Sequence, residues 1–222
     1  MGPQADRRKM LACLYNLSLF MEAKIMKMKK LLAVVLTGVM AVSMLTGCAS
    51  IASRQAADEL EGMLHGVKGM SKASVTADGE KLAKDALEDT KDSDGKAITG
   101  FDAKVKANLD VEKNKDKYVW YTTIAAKDAK KVDKAVGIFN AMTKNGTAEK
   151  ELDLTKIANT GVTVSGKTGD EIEPTDNFKL SMTEYTVKET ENGKDTNVDY
   201  IMIVVTCKAQ VKAVASETPA TK

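Results

Sequence analysis

The sequence is poor in the residues that build covalent or metal-centred sites. Its 222 residues include three cysteines, one histidine and one tryptophan, and aromatic residues make up 5%. The single histidine, His65, excludes zinc sites that need several histidines. It also leaves any Ser-His-Asp or Cys-His site dependent on one residue. With so few aromatic side chains, most of them are expected to serve in the core.

Positive charge is lacking outside the N-terminal segment. The formal net charge of the whole chain is +2, but residues 1–47 hold seven Lys/Arg and two Asp/Glu. From residue 48 onward there remain 26 Lys/Arg against 29 Asp/Glu. Nucleic-acid binding and general attraction to anionic lipid both need clustered positive charge. The mildly acidic body therefore argues against both kinds of partner.

A hydrophobic run long enough to span a membrane is also lacking near the N-terminus. The apolar stretch from Leu31 to Leu45 has 15 residues, whereas a membrane-spanning helix needs roughly 17–25. Lys27-Met28-Lys29-Lys30 precedes this stretch and Thr46-Gly47-Cys48 follows it. A basic segment, an apolar segment and small residues in this order are typical of a cleaved signal peptide, here residues 26–47.

The end of this segment, Leu45-Thr46-Gly47-Cys48, resembles the lipobox of bacterial lipoproteins. The resemblance covers about the first quarter of the chain. It implies lipid transfer to the Cys48 thiol, cleavage between Gly47 and Cys48, and anchoring on the extracytoplasmic face of the cell membrane. Two acyl chains suffice for stable anchoring. The alternative is an ordinary buried cysteine after a secretory leader or an uncleaved helix.

Residues 1–25 fit poorly with a signal peptide, which normally begins close to its basic segment. We predict that they are an upstream extension and that Met26 or Met28 is the true start. The alternative is a genuine long N-terminal segment of the leader.

Cys207 is then the only thiol of the mature domain, because Cys13 precedes the proposed start and Cys48 carries lipid. An intrachain disulfide is excluded, so the core alone must hold the domain. Cys207 alternates with Ile203 and Val205 in an apolar strand. This pattern predicts a buried, inert thiol.

The chain after the leader divides into three parts by its residue pattern. Residues 48–77 are predicted to be the lipid anchor, a short amphipathic helix over 49–60 and a tether, because Gly66–Lys72 has two glycines and little periodicity. Residues 78–212 are predicted to form one domain. Residues 213–222 are small and polar and are expected to be a flexible tail.

Changes of hydrophobic period within residues 78–212 predict an α+β fold. Helical spacing follows Asp78 and returns after Asp128. Apolar residues alternate over 101–111, and Tyr118–Ile124 returns as a strand, so 101–124 is predicted to be a hairpin. A second hairpin over 178–209 turns at Asn192-Gly193 and has a central strand. We therefore predict helices packed on one face of a mainly antiparallel sheet built from two hairpins.

The segment from Gly161 to Thr168 matches the spacing of a phosphate-binding loop, Gly, four residues, Gly-Lys-Thr. Such a loop needs a strand before it and a helix starting near Lys167. Here β-forming residues occupy the loop itself, and Gly169 and Pro174 discourage a helix. A strand followed by a Gly-Lys turn is the favoured interpretation, and nucleotide binding is not expected.

An acidic cluster surrounds Pro174 and offers oxygen ligands for a weak calcium site. Its members are Asp170, Glu171, Glu173 and Asp176. Extracellular calcium sites can be weak and still be occupied. The alternative is a solvated charged loop. No firm metal site and no cofactor are predicted.

These features predict a lipid-anchored protein of the cell envelope that binds or scaffolds an unknown envelope protein or ligand without catalysis. Tyr118, Trp120 and Tyr121 form a possible partner surface if one face of their hairpin is open. The alternative function is a secreted hydrolase that uses carboxylates, because the acidic residues from residue 48 onward offer many possible pairs.

Overall fold

The computed structural model of this chain describes residues 51–128, 131–144 and 149–213. The predicted upstream extension, the signal peptide, Gly47, Cys48 and the tail beyond residue 213 lie outside the described residues. No helix within the described ranges is long and apolar enough to cross a membrane.

The domain is built on one four-stranded sheet with the strand order β1-β5-β6-β2. Its strands are β1 (Ser74–Ala77), β2 (Lys117–Ala125), β5 (Ile172–Glu191) and β6 (Lys194–Val211). β1 pairs with β5 in parallel, and the other two pairings are antiparallel. Two short strands, β3 (Thr163–Val164) and β4 (Lys167–Thr168), form a separate antiparallel ribbon. The predicted central position of the last strand is confirmed, because β6 lies between β5 and β2.

Within the described ranges four helices accompany the sheet, so the predicted α+β class is confirmed. They are α1 over residues 51–64, α2 (Lys81–Ala86), α3 (Phe101–Leu109) and α4 (Lys131–Met142). Single 3-10 turns occur at Glu112–Asn114, Ala126–Asp128, Leu154–Lys156 and Gly169–Glu171.

The helices cover both faces of the sheet, so the prediction of one covered face is wrong. Buried residues of α1 and α4 pack in one cluster with Ile203 and Val205 of β6. Buried residues of α2 and α3 pack in a second cluster with Met202 and Val204. Because successive strand residues point to opposite faces, these two clusters lie on opposite sides of β6. A strand that is apolar on both faces needs cover on both.

The predicted strand over 101–111 is a helix, and the first predicted hairpin therefore does not exist. In α3, Val105 and Leu109 are fully buried and Phe101 is half-buried, whereas Ala103 and Ala107 are exposed. Apolar residues four apart make a helical stripe, and the alanines between them created the apparent alternation. Alanine also favours the helix.

The second predicted hairpin is confirmed as β5 and β6. Asn192 and Gly193 both have positive φ, at 52° and 76°, as the two central residues of a type I′ turn require. Pairing runs without a break from Phe178–Glu191 along β5, and the register shift lies between Pro174 and Phe178. The sheet thus contains one long hairpin, to which β2 and β1 add as single strands.

The segment predicted to be a tether is part of the core. Leu60 and Leu64 of α1 are fully buried, and Val67, Met70 and Ala73 join the same cluster. The Val75 N–H also donates a 2.8 Å hydrogen bond to the Glu61 carboxylate. The two glycines in this stretch allow tight turns and do not make it a loose linker. Because its apolar residues are in the core, the domain begins before residue 78.

The burial of Leu60 and Leu64 predicts that α1 contributes to stability. Leu60→Ala should lower the free energy of unfolding by about 3 kcal/mol, because it leaves a cavity in the core. Ile51→Ala is the control on the same helix: Ile51 is 55% exposed, and its substitution should change stability by less than about 0.5 kcal/mol. Urea unfolding measures both. If both substitutions lower stability by the same small amount, α1 does not contribute to the core and the prediction of a tether is correct.

Candidate functional site

The predicted aromatic partner surface does not exist as an exposed face. Trp120 is fully buried and Tyr118 nearly so, and the Trp120 ring packs 6.4 Å from the Phe178 ring. Its indole N–H donates to the Asp153 carbonyl at 3.2 Å. Tyr121 is the next residue of β2 and therefore points to the opposite face. The structure does not bring the three rings to one surface.

A different aromatic cluster lies on the side where Tyr121 is found. The ring centroids of Phe101 and Tyr185 are 6.2 Å apart, and those of Tyr185 and Tyr200 are 5.7 Å apart. The Tyr121 hydroxyl donates to the Asp102 carboxylate of α3. These contacts hold α3 against the hairpin. Sequence reasoning missed them because Phe101 was placed in a strand.

The acidic cluster around Pro174 is not assembled as a metal site. Within the described ranges, no group of three or more His, Cys, Asp or Glu side chains could hold a metal ion. Lys167 forms a 2.6 Å ion pair with Glu171, and Gln210 donates to Glu173 at 3.2 Å. The calcium prediction is therefore not supported. Asp170 and Glu171 are exposed in the 3-10 turn before β5, whereas Glu173 and Asp176 lie in β5 itself, so the alternative of a charged loop holds only for the first two.

The segment that matched a phosphate-binding loop forms the β3–β4 ribbon. Ser165 and Gly166 have φ values of 50° and 76° and make its turn. A one-turn 3-10 helix and then β5 follow Lys167 and Thr168. This geometry lacks the long helix whose N-terminus would hold the phosphates.

Cys207 and His65, the thiol and the imidazole singled out in the sequence, occupy different environments. Cys207 is 1% exposed, and its thiol donates to the Thr175 carbonyl at 2.9 Å. Burial raises the pKa of this thiol to about 11. The predicted buried thiol is confirmed. His65 is exposed at the end of α1, and its Nε2 lies 2.9 Å from the Ala73 carbonyl oxygen.

A cleft in the described part of the domain lies on the α2 side of the sheet and has a volume of about 650 Å³. We call it the lysine cleft after its most frequent side chain. Residues of all four strands line it, together with α2 and the 3-10 turn before β2. The lining includes Lys81, Lys113, Lys117, Lys179, Lys208, Asp78, Asp85, Leu82, Thr76, Asn177 and Thr206. Five lysines face two aspartates, so the cleft is positive.

Three of the five lysines form ion pairs within the cleft. Asp85 pairs with Lys113 at 2.8 Å and with Lys81 at 3.3 Å. Asp78 pairs with Lys179 at 3.4 Å. Both carboxylates are thus engaged by ammonium groups.

The other two lysines have no carboxylate partner among the described residues. Lys117 donates to the Lys113 carbonyl at 2.9 Å, and no ion pair involves Lys208. These two residues are direct cross-strand partners in the β2–β6 register. Like charges directly opposite each other on one sheet face destabilise the pairing.

Ion pairing also fixes the charge state of the cleft. The hydrogen bond from Lys113 lowers the pKa of Asp85, with a smaller contribution from Lys81. Elsewhere in the described chain, lysine or hydroxyl partners lower the pKa of Asp102, Asp110 and Asp153 as well. A lowered pKa keeps a carboxyl ionised at neutral pH.

The sequence could not reveal this cleft. Its lysines are spread from residue 81 to residue 208, and each one resembles a residue of a solvated polar face. The only usable signal was the alternation in β6, which places Thr206 and Lys208 on the face opposite Val205 and Cys207. The position of β2 beside β6 was also needed.

Comparison with family models, with curated proteins and with solved structures gives no match to this chain.

The burial of Cys207 predicts that its thiol is unreactive. At pH 8 a thiol with a pKa near 11 has only about one thiolate in a thousand molecules, and iodoacetamide needs both thiolate and access. We expect no alkylation of the Cys207 peptide in the native protein and complete alkylation in 6 M guanidinium chloride, both followed by peptide mass spectrometry. Native labelling at the unfolded rate would contradict the packed core.

Proposed function

We propose that this protein is a lipid-anchored protein of the cell envelope whose domain binds a ligand or partner without catalysis. The anchoring half of the proposal is supported by the sequence of the leader, in which a basic segment, an apolar segment and small residues follow one another, and by Leu45-Thr46-Gly47-Cys48. Lipid on Cys48 would hold the domain on the extracytoplasmic face of the membrane. The binding half is supported by the lysine cleft, whose volume is within the range of small-molecule sites.

The pairing of both cleft carboxylates carries the non-catalytic half of the proposal. A carboxylate-dependent hydrolase needs one carboxyl that is protonated near neutral pH to act as the general acid. The Lys113 ammonium lowers the pKa of Asp85, which is the opposite shift. Asp78 is paired with Lys179. The cleft thus offers cations for binding, and the alternative of a secreted hydrolase gains no support from it.

The Asp85 charge predicts a specific pH dependence. Its pKa is lower in the folded than in the unfolded state, so its ion pairs stabilise the fold above the unfolded value of about 3.9. That contribution, under about 1 kcal/mol for such an exposed pair, is lost as the pH falls through the folded value. Carboxyl NMR should give a midpoint below 3.9 for Asp85. Lys113→Met should move this midpoint upward. A wild-type midpoint above the unfolded aspartate value of about 3.9 would reopen the hydrolase alternative.

Anchoring predicts a simple fractionation result. In bacterial cells, Cys48→Ala should release the protein from membranes or leave an unprocessed precursor, because the variant lacks the thiol that accepts lipid. Ser50→Ala, two residues further along the chain, is the matched control and should keep both processing and membrane retention. Immunoblots of membrane and soluble fractions measure this. Unchanged processing and retention in Cys48→Ala would contradict the lipoprotein proposal.

A further inference from the structure

We infer that the lysine cleft binds a phosphate-bearing ligand through Lys117 and Lys208. This inference rests on the proposed binding function and names its ligand class. It starts from the cross-strand pairing of these two lysines on β2 and β6. Both side chains line the cleft.

The lysine pair opposes the stability of the sheet. Two ammonium groups on directly opposed residues repel each other, and neither forms an ion pair with a carboxylate in the described structure. Lys117 is half-buried and Lys208 is exposed, so solvent screens the charge of Lys117 less than that of Lys208. An anion between the two ammonium groups would remove the repulsion and leave two favourable contacts.

The charge of the cleft is opposite to that of the chain around it. From residue 48 onward acidic residues outnumber basic ones by three, whereas the cleft has five lysines and two aspartates. A positive cleft in an acidic protein attracts an anion locally, because its low-dielectric walls focus the field. The concentration of charge in one concave place distinguishes this site from a generally basic surface.

The arrangement of the cations in the cleft, rather than their kind, favours phosphate over carboxylate. Arginine presents a planar fork that matches both anions, whereas lysine is a compact point charge that can approach phosphate oxygens from separate directions. All five basic residues of the cleft are lysines, and they come from α2, the 3-10 turn before β2, β2, β5 and β6. Side chains that converge from different elements suit a tetrahedral anion.

The dimensions of the cleft indicate a ligand larger than one phosphate group. About 650 Å³ is enough for an organic molecule. The half-buried Leu82 provides an apolar contact, and Thr76 and Asn177 add polar groups at the β1–β5 edge. We therefore assign the ligand class as phosphate esters or phosphodiesters with an organic portion, from either a soluble compound or a lipid headgroup.

Calorimetry on the full chain in detergent tests this assignment with inorganic tripolyphosphate as the probe and citrate as the carboxylate probe. We expect tripolyphosphate to bind more tightly than citrate, with affinity that falls as salt rises. Lys117→Gln and Lys208→Gln should each weaken tripolyphosphate binding about tenfold, the loss of one charge-assisted contact. Lys72→Gln is the matched control: Lys72 is exposed and outside the cleft, and its substitution should leave affinity unchanged.

Thermal unfolding separates a binding role from a structural one. Without the probe, Lys208→Gln should unfold at the same temperature as the wild type or higher, because it relieves like-charge repulsion. With tripolyphosphate, the wild type should gain stability and this variant should gain less. A lower unfolding temperature for Lys208→Gln without the probe would assign the lysine to the fold and overturn the inference.

Two further probes distinguish the source of the phosphate. Dihexanoyl phosphatidylglycerol that competes with tripolyphosphate, while dihexanoyl phosphatidylcholine does not, would assign the site to an anionic lipid headgroup. Failure of both lipids to compete, with tripolyphosphate bound, would assign it to a soluble compound. Equal tripolyphosphate affinity in Lys117→Gln and the wild type, equal affinity for citrate, or no binding of tripolyphosphate would each overturn the inference.

Failure of the proposed function is recognisable separately. If Cys48→Ala stays processed and membrane-bound, anchoring by lipid is wrong, but the calorimetric result on the cleft is unaffected. If a ligand is bound through Lys117 and Lys208 and then hydrolysed, the non-catalytic proposal is wrong and the ligand class is retained.

Discussion

The double-sided burial of β6 is the constraint on which the rest of the structure depends. Residues 201–205 are buried on both faces of the sheet, so each face must be covered by other elements. α1 and α4 cover one face, and α2 and α3 cover the other. This requirement draws α1 into the core and makes residues 67–73 a packed connection. It also explains a stable domain that has no disulfide among its described residues.

The position of the lysine cleft follows from where this cover stops. On the α2 face of β6, the residues change from Met202 and Val204 to Thr206 and then Lys208. The apolar pair lies under the helices, and the polar pair lines the cleft. One alternating strand thus specifies both a helix-covered surface and an open polar one. The lysine cleft therefore continues the surface of the core with polar and charged side chains.

Strong local signals made much of the fold predictable from the sequence. The Asn192-Gly193 turn, the apolar run of β6, the burial of Cys207 and the helix over α4 each have a pattern with one structural meaning. Phe101–Leu109 did not, because alanines between residues four apart fit a strand and a helix equally well. The prediction for Trp120 was also wrong. Its aromatic neighbours in the sequence suggested an exposed partner surface, but the side chain is buried under the sheet's helical cover. The cleft could not be predicted from the sequence, because Lys117 and Lys208 are brought together only by the register of β2 on β6.

The packing of α1 also sets how far the proposed lipoprotein can reach. Two residues separate Cys48 from residue 51, the first described residue of a helix that belongs to the core. Three fully extended Cα–Cα steps span at most about 11 Å. With so short a linker, a domain anchored through Cys48 would stay next to the bilayer, and its ligand would have to come to the membrane surface.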